Sequence, residues 1–403
     1  MNILVLNAGS SSLKYQFFRW PAEVPLCAGL VERVGTDAAT LTHQTFDPDA
    51  PGEPPAEHAR TLSLPDHEAA LLAVLELLMA RPGGVIADPA EVAVVGHRVV
   101  HGGEDFNQAT LITLEVEVKI RALSGLAPLH QPANLLGIEV ARRVFGQARQ
   151  VAVFDTAFHQ TLPEYAFRYA LPTELYTERR IRKYGFHGTS HQYVAAQAAA
   201  YLGNPDARLV TIHLGNGCSM AAVRGGRSLD TSMGFSPLAG LVMGTRSGDL
   251  DPAVLLYLQE ALGYSPAQVG TLLNKESGML GLTGTNDLRD VTRALQAGDP
   301  RAALAYDLYA YRIRQYLGAY VAVLGGLDAV VFTAGVGEND PLVRAKVCAG
   351  LEFFGLALDE AANQQRQPGL RDLSAPGARA RILVIPTREE LEIARQCAAL
   401  ISC

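Results

Sequence analysis

Cysteine is scarce in this chain and never clustered. Cys27, Cys218, Cys348, Cys397 and Cys403 are odd in number, and no Cys-x-x-Cys pair occurs. That scatter argues against a disulfide framework and a zinc ribbon, and it makes a reducing cytoplasm the expected compartment. Positive charge is scarce too: 34 Lys and Arg against 41 Asp and Glu leave a net charge of -7. Without a broad basic field, neither nucleic acid nor an anionic membrane is an expected partner. Long uninterrupted apolar runs are missing. The most apolar stretch, "YVAVLGGLDAVVFTAGVG" (320–337), is broken by Asp328 and paired glycines. It reads as a helix end, a turn and a buried strand rather than a membrane span. No basic segment followed by an apolar one stands at the N-terminus, so no signal peptide is expected. Two nucleotide signatures are absent as well: Gly-x-x-x-x-Gly-Lys-Ser/Thr, and Gly-x-Gly-x-x-Gly after a strand. Any anion must therefore be held by a few placed cations and by backbone N–H groups.

What is present is a globular composition, 48% hydrophobic and 19% charged over 403 residues. That length exceeds one ordinary core, so two domains are expected. Apolar runs alternate with helical patterns. "NILVLN", "EVAVVGHRVV", "QVAVFD", "RLVTIHL", "DAVVFT" and "RILVIP" read as strands, several continuous enough to be covered on both faces. "DHEAALLAVLELLMAR", "PANLLGIEVARRVFG", "SHQYVAAQAAAYLG" and the C-terminal residues read as helices. The chain is α/β. Residues 47–66, rich in proline and acid, read as a solvated loop.

An internal echo points further. "ILVLNAGSSSLKYQFF" and "LVTIHLGNGCSMAAV" (209–223) share one shape: an apolar strand ends on a polar residue, Asn7 or His213, a small polar glycine turn follows, and a second strand leaves. Two such hairpins suggest a duplicated domain with one phosphate-facing turn in each half. Glycine lets backbone amides approach a ligand, serine hydroxyls add donors and Lys14 adds a point charge, so "NAGSSSLK" can cradle an anion. A water-exposed polar hairpin is the other reading of the same residues. A third turn, "AGVGEN" (334–339), follows the strand "AVVFT", where open α/β sheets place ligands; Gly335 and Gly337 would let a base or ribose lie against the backbone. Asp287 and Arg289 form a further polar pair.

In chain order, "NAGSSSLKY", "GHRVVHGG", "DTAFHQTLP", "YGFHGTSH", "HLGNG", "GTRSGDLDP", "FTAGVGEN" and "PTREEL" resemble the motif series of the acetate kinase family and span nearly the whole chain. The resemblance implies the fold shared with sugar kinases, heat-shock ATPases and actin: two duplicated ribonuclease H-like domains with ATP in the cleft between them. Residues 1–153 with 388–403 would form the N-terminal domain, and 154–387 the C-terminal nucleotide-binding and dimerisation domain. It implies reversible, Mg²⁺-dependent transfer of a phosphoryl group from ATP to acetate, giving acetyl phosphate and ADP by direct in-line transfer, with Mn²⁺ as a substitute metal and a homodimer as the assembly.

Phosphoryl transfer needs an acceptor oxygen in line with the γ-phosphorus and positive charge around the equatorial oxygens. Arg98 could pair with the substrate carboxylate and Arg246, in "MGTRSGD", could stabilise the migrating group; the resemblance carries both over. It assigns His187 to the transferred phosphoryl, with His130 and His213 close by, and gives Asp155 a catalytic acid/base role. Acetate arrives ionised, so orientation of an arginine, or help with metal and water, is the more physical task for Asp155. The triphosphate would be gripped by Ser10, Ser12 and Lys14 and by His213, Leu214, Gly215, Asn216 and Gly217. The nucleoside would meet Asp287, Leu288 and Arg289 and the run Gly335, Val336, Gly337, Glu338 and Asn339. Val100, Leu129, Phe186 and Pro237 would pack around the acetate methyl group, discriminating against one extra methylene by about 1–3 kcal/mol.

In "PTREELEIARQ", Thr387 and Glu390 have capping-box spacing, which leaves Glu389 to help hold Mg²⁺ with Asn7. Arg388 stands where the family usually has Asn, and Glu390 remains an alternative to Glu389. Three other readings are open. One is the same chemistry on propionate or butyrate. Another is a nucleotide-driven protein of the actin type. The third is a zinc hydrolase on His97/His101 and His187/His191, which lack the Glu a metalloprotease helix needs after its first His.

Overall fold

The computed structural model describes residues 1–47, 54–80, 83–127 and 130–402. The chain divides into two compact units, Met1–Ala157 with Arg388–Cys403, and Phe158–Thr387.

In the first unit, β1 (Asn2–Ala8) turns at Gly9 into β2 (Ser12–Arg19), followed by β3 (Cys27–Glu32), β4 (Thr36–Thr45) and β5 (Ala56–Leu64). Three later strands complete the sheet: β6 (Val94–Val99), β7 (Thr110–Leu111) and β8 (Arg149–Phe154). The order is β5-β4-β3-β2-β1-β6-β8-β7. Strands β1 to β5 pair antiparallel in succession, whereas β1, β6 and β8 run parallel. The continuous apolar runs sit at the parallel centre, where Ile3, Leu4, Val5, Val94 and Val95 are fully buried. Helix Gln131–Val144 packs on β1 and β6, as does the C-terminal helix Glu389–Ser402. Gly96 allows that second contact: a Cβ there would lie 2.7 Å from Cys397 Sγ. Residues 56–64, read from composition as loop, form the exposed edge strand β5; its register with β4 outweighs its polar character. Residues 48–53 and Leu129 lie outside the described residues.

The second unit repeats the plan. β9 (Arg208–Leu214), β10 (Cys218–Arg224) and β11 (Arg227–Thr231) pair antiparallel. β12 (Ala329–Thr333) lies parallel to β9, β14 (Arg381–Val384) lies parallel to β12, and β13 (Arg371–Asp372) closes the edge. The order is β11-β10-β9-β12-β14-β13. Its first five strands match β3-β2-β1-β6-β8 in order and in sense, so each unit carries the ribonuclease H-like sheet.

Two local expectations are corrected. Residues 334–339 form a short helix, Ala334–Asn339, rather than a turn, with Ala334 at φ +64°. Helix Gly188–Leu202 starts from His187 in the left-handed region (φ 56°). The capping box is not formed: Thr387 donates its hydroxyl to Ser190 and Glu390 pairs with Lys14.

The core also buries neutral histidines. His97 Nε2 lies 2.8 Å from Gln150 Oε1, and His159 lies 2.8 Å from Ser228 Oγ and 3.0 Å from the Phe186 carbonyl. Burial pushes His97, His101 and His159 each down to about 4. A histidine depressed in the folded state binds its proton more readily when unfolded. The stability held by these three is therefore fully present above the unfolded value of 6.5 and is lost as pH falls toward 4. In a histidine NMR titration all three should remain neutral at pH 5.5; protonation of any one near pH 6.5 would contradict the burial argument.

Candidate active site

Parallel strands buried on both faces present polar groups where they end, and ligands of open α/β sheets gather at those carboxyl edges. In the first unit β1 ends near Asn7, β6 carries Arg98 near its end, and Asp155 follows β8 directly. Arg98 grips Asp155 with two bonds, Nε to Oδ1 at 3.2 Å and Nη2 to Oδ2 at 2.6 Å. Glu389 Oε2 lies 3.7 Å from Arg98 Nε, and Glu390 Oε1 lies 2.6 Å from Lys14 Nζ. Arg98, Asp155 and Glu389 side chains are only 18%, 2% and 20% exposed, so their charges act at low dielectric. Burial pushes Glu389 up to about 7; Arg98 opposes this, while Asp155 and Glu390 add to it. Asp155 thus orients a guanidinium, the task its position suggests. Lys14 stands on β2 opposite Asn7 and is tied to Glu390. Ser10 and Ser12 flank the first hairpin turn, where Gly9 N–H donates to the Ser12 carbonyl at 2.9 Å. Val100 is buried, and His130 precedes helix Gln131–Val144.

In the second unit His187 and His213 stack at 4.2 Å between ring centroids, 22° apart. His187 Nδ1 lies 2.8 Å from Ser219 Oγ, and His213 Nδ1 lies 2.8 Å from Ser190 Oγ. Gly217 lies between the imidazole and Arg246: a Cβ on it would stand 3.4 Å from His187 Nε2 and 3.5 Å from Arg246 Nη1. Arg246 Nη1 donates to the Pro237 carbonyl at 3.2 Å. Among the described residues no carboxylate pairs with Arg246, and burial lowers its proton affinity. The result is a preorganised, uncompensated cation beside an imidazole, suited to an incoming anion. Phe186 is buried directly before His187.

A cavity of about 820 Å³ opens in the same unit. It brings together the expected Gly215, Asn216, Asp287, Leu288, Arg289, Gly335, Val336 and Asn339. Leu214 and Gly337 are buried and do not line it, and Glu338 accepts from the Thr387 N–H at 3.1 Å. Asp287 caps helix Leu288–Gln296 and pairs with Arg289 at 2.6 Å. The sequence reading missed Gly244, Met279, Asn286, Thr292, Tyr309, Asp340 and Arg366, which also line the cavity. Two carried a signal. Gly244 sits in the glycine turn of Arg246, and a Cβ there would lie 2.0 Å from Asn216 Oδ1; Asn286 precedes Asp287 and donates to Asn216 at 3.1 Å. Tyr309 and Arg366 lie in segments with no motif.

The histidine pairs at i, i+4 spacing are engaged in hydrogen bonds. His97 meets Gln150, His101 Nδ1 accepts from the Gly103 N–H, and His187 and His191 share Ser219. Among the described residues no group of three His, Cys, Asp or Glu side chains forms a metal cluster. The donors expected for Mg²⁺ are hard oxygens, the Asn7 carboxamide and the Glu389 carboxylate. In the first unit Asp155, Glu389 and Glu390 outnumber Arg98 and Lys14 by one, and that surplus suits a divalent cation that keeps most of its waters.

Two ribonuclease H-like units with an anion-ready cation and a glycine-lined cavity define a phosphotransferase class. The comparisons narrow it: the acetokinase family model matches residues 2–395, and the chain belongs to that family. An acetate kinase of Flavobacterium johnsoniae is 49% identical over 98% of both chains. The Porphyromonas gingivalis acetate kinase structure superposes with a TM-score of 0.92 at 43% identity, covering 99% of each chain. A propionate kinase structure from Francisella tularensis gives 0.90 at 39% identity, covering 98% of each.

The two arginines should respond differently to truncation. Arg98→Ala leaves Asp155 buried without its partner, which should cost about 3–5 kcal/mol of stability as well as turnover. Arg246→Ala removes an unpaired buried charge and should leave the urea midpoint unchanged or higher while kcat falls about 10²–10³-fold. Near-normal turnover in either variant would remove the assigned roles.

Proposed function

We propose that this protein transfers a phosphoryl group reversibly from ATP to acetate, forming acetyl phosphate and ADP by direct in-line displacement. The observation that carries the reading is near-complete alignment, at about half identity, with acetate kinases together with Arg246 near His187, an arginine with which no carboxylate among the described residues pairs. In this reading Arg98, oriented by Asp155, would hold the acceptor carboxylate, and Val100, Leu129, His130, Phe186 and Pro237 are the residues assigned to acetate binding. Arg246 and His187 stabilise charge on the migrating phosphoryl. Ser10, Ser12, Lys14 and His213–Gly217 take the triphosphate; Asp287–Arg289 and Gly335–Asn339 take the nucleoside. Asn7 and Glu389 would hold Mg²⁺, or Mn²⁺ in its place, which neutralises phosphate charge when bound. The proposed domains are residues 1–153 with 388–403, and 154–387.

A homodimer through the second unit belongs to the same reading. Leu256, Tyr257 and Leu262 are 56%, 61% and 54% exposed within one short segment, an apolar surface that a second copy would cover. Cytoplasmic placement is proposed on the cysteines, since the four described are free and buried.

Trapping of acyl phosphate by hydroxylamine, with acetate, propionate and butyrate in parallel, tests the reaction. Acetate should give the highest kcat/KM, EDTA should abolish the product, and added Mg²⁺ should restore it. ATP hydrolysis without hydroxamate from any of the three acids would sink the proposal.

A further inference from the structure

A side chain from the helix after β5 reaches the first hairpin turn. Helix His67–Leu78 is capped by Asp66, whose carboxylate accepts from the Ala69 N–H at 2.8 Å. Its residues Ala70, Leu71 and Val74 are buried in one core with Leu6, Ala8 and Leu13 of β1 and β2. That packing holds the start of the helix beside the turn, where His67, its first residue, is 8% exposed. His67 Nε2 lies 2.8 Å from the Gly9 carbonyl oxygen. A carbonyl only accepts, so this bond has one direction: His67 carries a proton on Nε2 and donates it. The Ser11 carbonyl is engaged as well, accepting from the Val34 N–H at 3.0 Å. The Gly9 N–H closes the turn on the Ser12 carbonyl at 2.9 Å. Glycine suits this position, because a Cβ there would stand 2.7 Å from Ser12 Oγ.

A trans peptide is planar, and its C=O and N–H point in opposite directions. The Gly9 carbonyl shares its plane with the Ser10 N–H, and the Ser11 carbonyl shares one with the Ser12 N–H. Holding a carbonyl therefore fixes the amide on the far side of the same plane. It also ties up oxygens that would repel an anion, in a turn whose N–H groups can attract one. We propose that His67 is a positioning residue for this turn: its imidazole pins the Gly9–Ser10 peptide so that the Ser10 N–H is presented to the polyphosphate of ATP. The role rests on the phosphotransfer reading, which gives the triphosphate to Ser10, Ser12 and Lys14. The Ser10 N–H donates to no backbone carbonyl among the described residues. Lys14 does not make the amide redundant, because Glu390 holds its ammonium at 2.6 Å. Loss of the imidazole would free the Gly9–Ser10 peptide to flip, and a flip puts a carbonyl oxygen where the amide had been. The Ser11 carbonyl is pinned by backbone, so the orientation of the Gly9–Ser10 plane is the one entrusted to a side chain.

Calorimetric binding of three probes to the full chain tests the pin: ATP with Mg²⁺, inorganic tripolyphosphate, and adenosine. His67→Met and His67→Gln are close in length and helix propensity, and only glutamine offers an N–H. His67→Met should weaken ATP and tripolyphosphate about fivefold, with adenosine held within about twofold. His67→Gln should bring both phosphate probes back to within about twofold of wild type. KM for ATP should follow the same order, while KM for acetate stays at the wild-type value. The proposal is overturned by an equal loss for adenosine, by identical behaviour of the two variants, or by unaltered phosphate binding in His67→Met. A wild type that binds neither phosphate probe overturns it too. Histidine ¹⁵N NMR of wild type requires no substitution: His67 should be protonated at Nε2, and a neutral His67 carrying its proton on Nδ1 overturns the proposal whether or not a variant folds. Hydroxamate formation by wild type is read separately. Its absence alongside the selective loss of phosphate binding sinks the phosphotransfer reading and leaves the role of His67 standing.

Discussion

A strand covered on both faces has no room for an unpaired polar side chain until the sheet ends, and that constraint arranges the chemistry of this protein. The parallel triplets β1-β6-β8 and β9-β12-β14 are mostly apolar, and the polar side chains buried within them, His97, Gln150 and Thr211, are hydrogen-bonded. Their carboxyl ends deliver Asn7, Arg98 and Asp155 in one unit and His213 and Thr333 in the other. Burial of the strands supplies the stability, roughly 1.5–3 kcal/mol for each large apolar side chain taken out of water. The same burial lowers the dielectric around the few charges left at the edge and so magnifies what each of them does.

The two guanidinium groups show how that leverage is used. Arg98 is neutralised by a bidentate carboxylate and has a second carboxylate 3.7 Å away, so its direction is fixed and its charge is shared. Arg246 has carbonyl and sulfur contacts but no carboxylate among the described residues. Burying an unpaired cation costs folding free energy, and the cost is recovered only when an anion arrives. A paired arginine suits a resident role in orienting a ligand, whereas an unpaired one suits charge that appears during reaction.

The parts of this arrangement legible in the sequence were those written locally. The repeated strand–turn–strand, the continuous apolar runs and the ordered motifs announced the duplicated sheet, because strand burial and hairpin chemistry are short-range properties. Edge strand β5 was hidden because its polar, proline-flanked sequence is held by register with β4 rather than by its own propensity. The Thr387–Glu390 spacing promised a cap, but Ser190 and Lys14, distant in sequence, offered both side chains better partners. Tyr309 and Arg366 reach the cavity from a long helix and a loop whose patterns carry no chemistry.

The two hairpins also show what duplication leaves free to diverge. In both, glycine closes the turn with a backbone bond, Gly9 N–H to the Ser12 carbonyl at 2.9 Å and Gly215 N–H to the Gly217 carbonyl at 3.0 Å. The cross-strand positions at the turn differ: Asn7 faces Lys14 in the first, His213 faces Ser219 in the second. A lysine brings a permanent charge, which the first unit balances with Glu390. A histidine flanked by hydroxyls brings a proton whose position the neighbours decide. The backbone device is therefore common to both units, and the kind of charge each can offer an anion is set by one pair of side chains on either side of it.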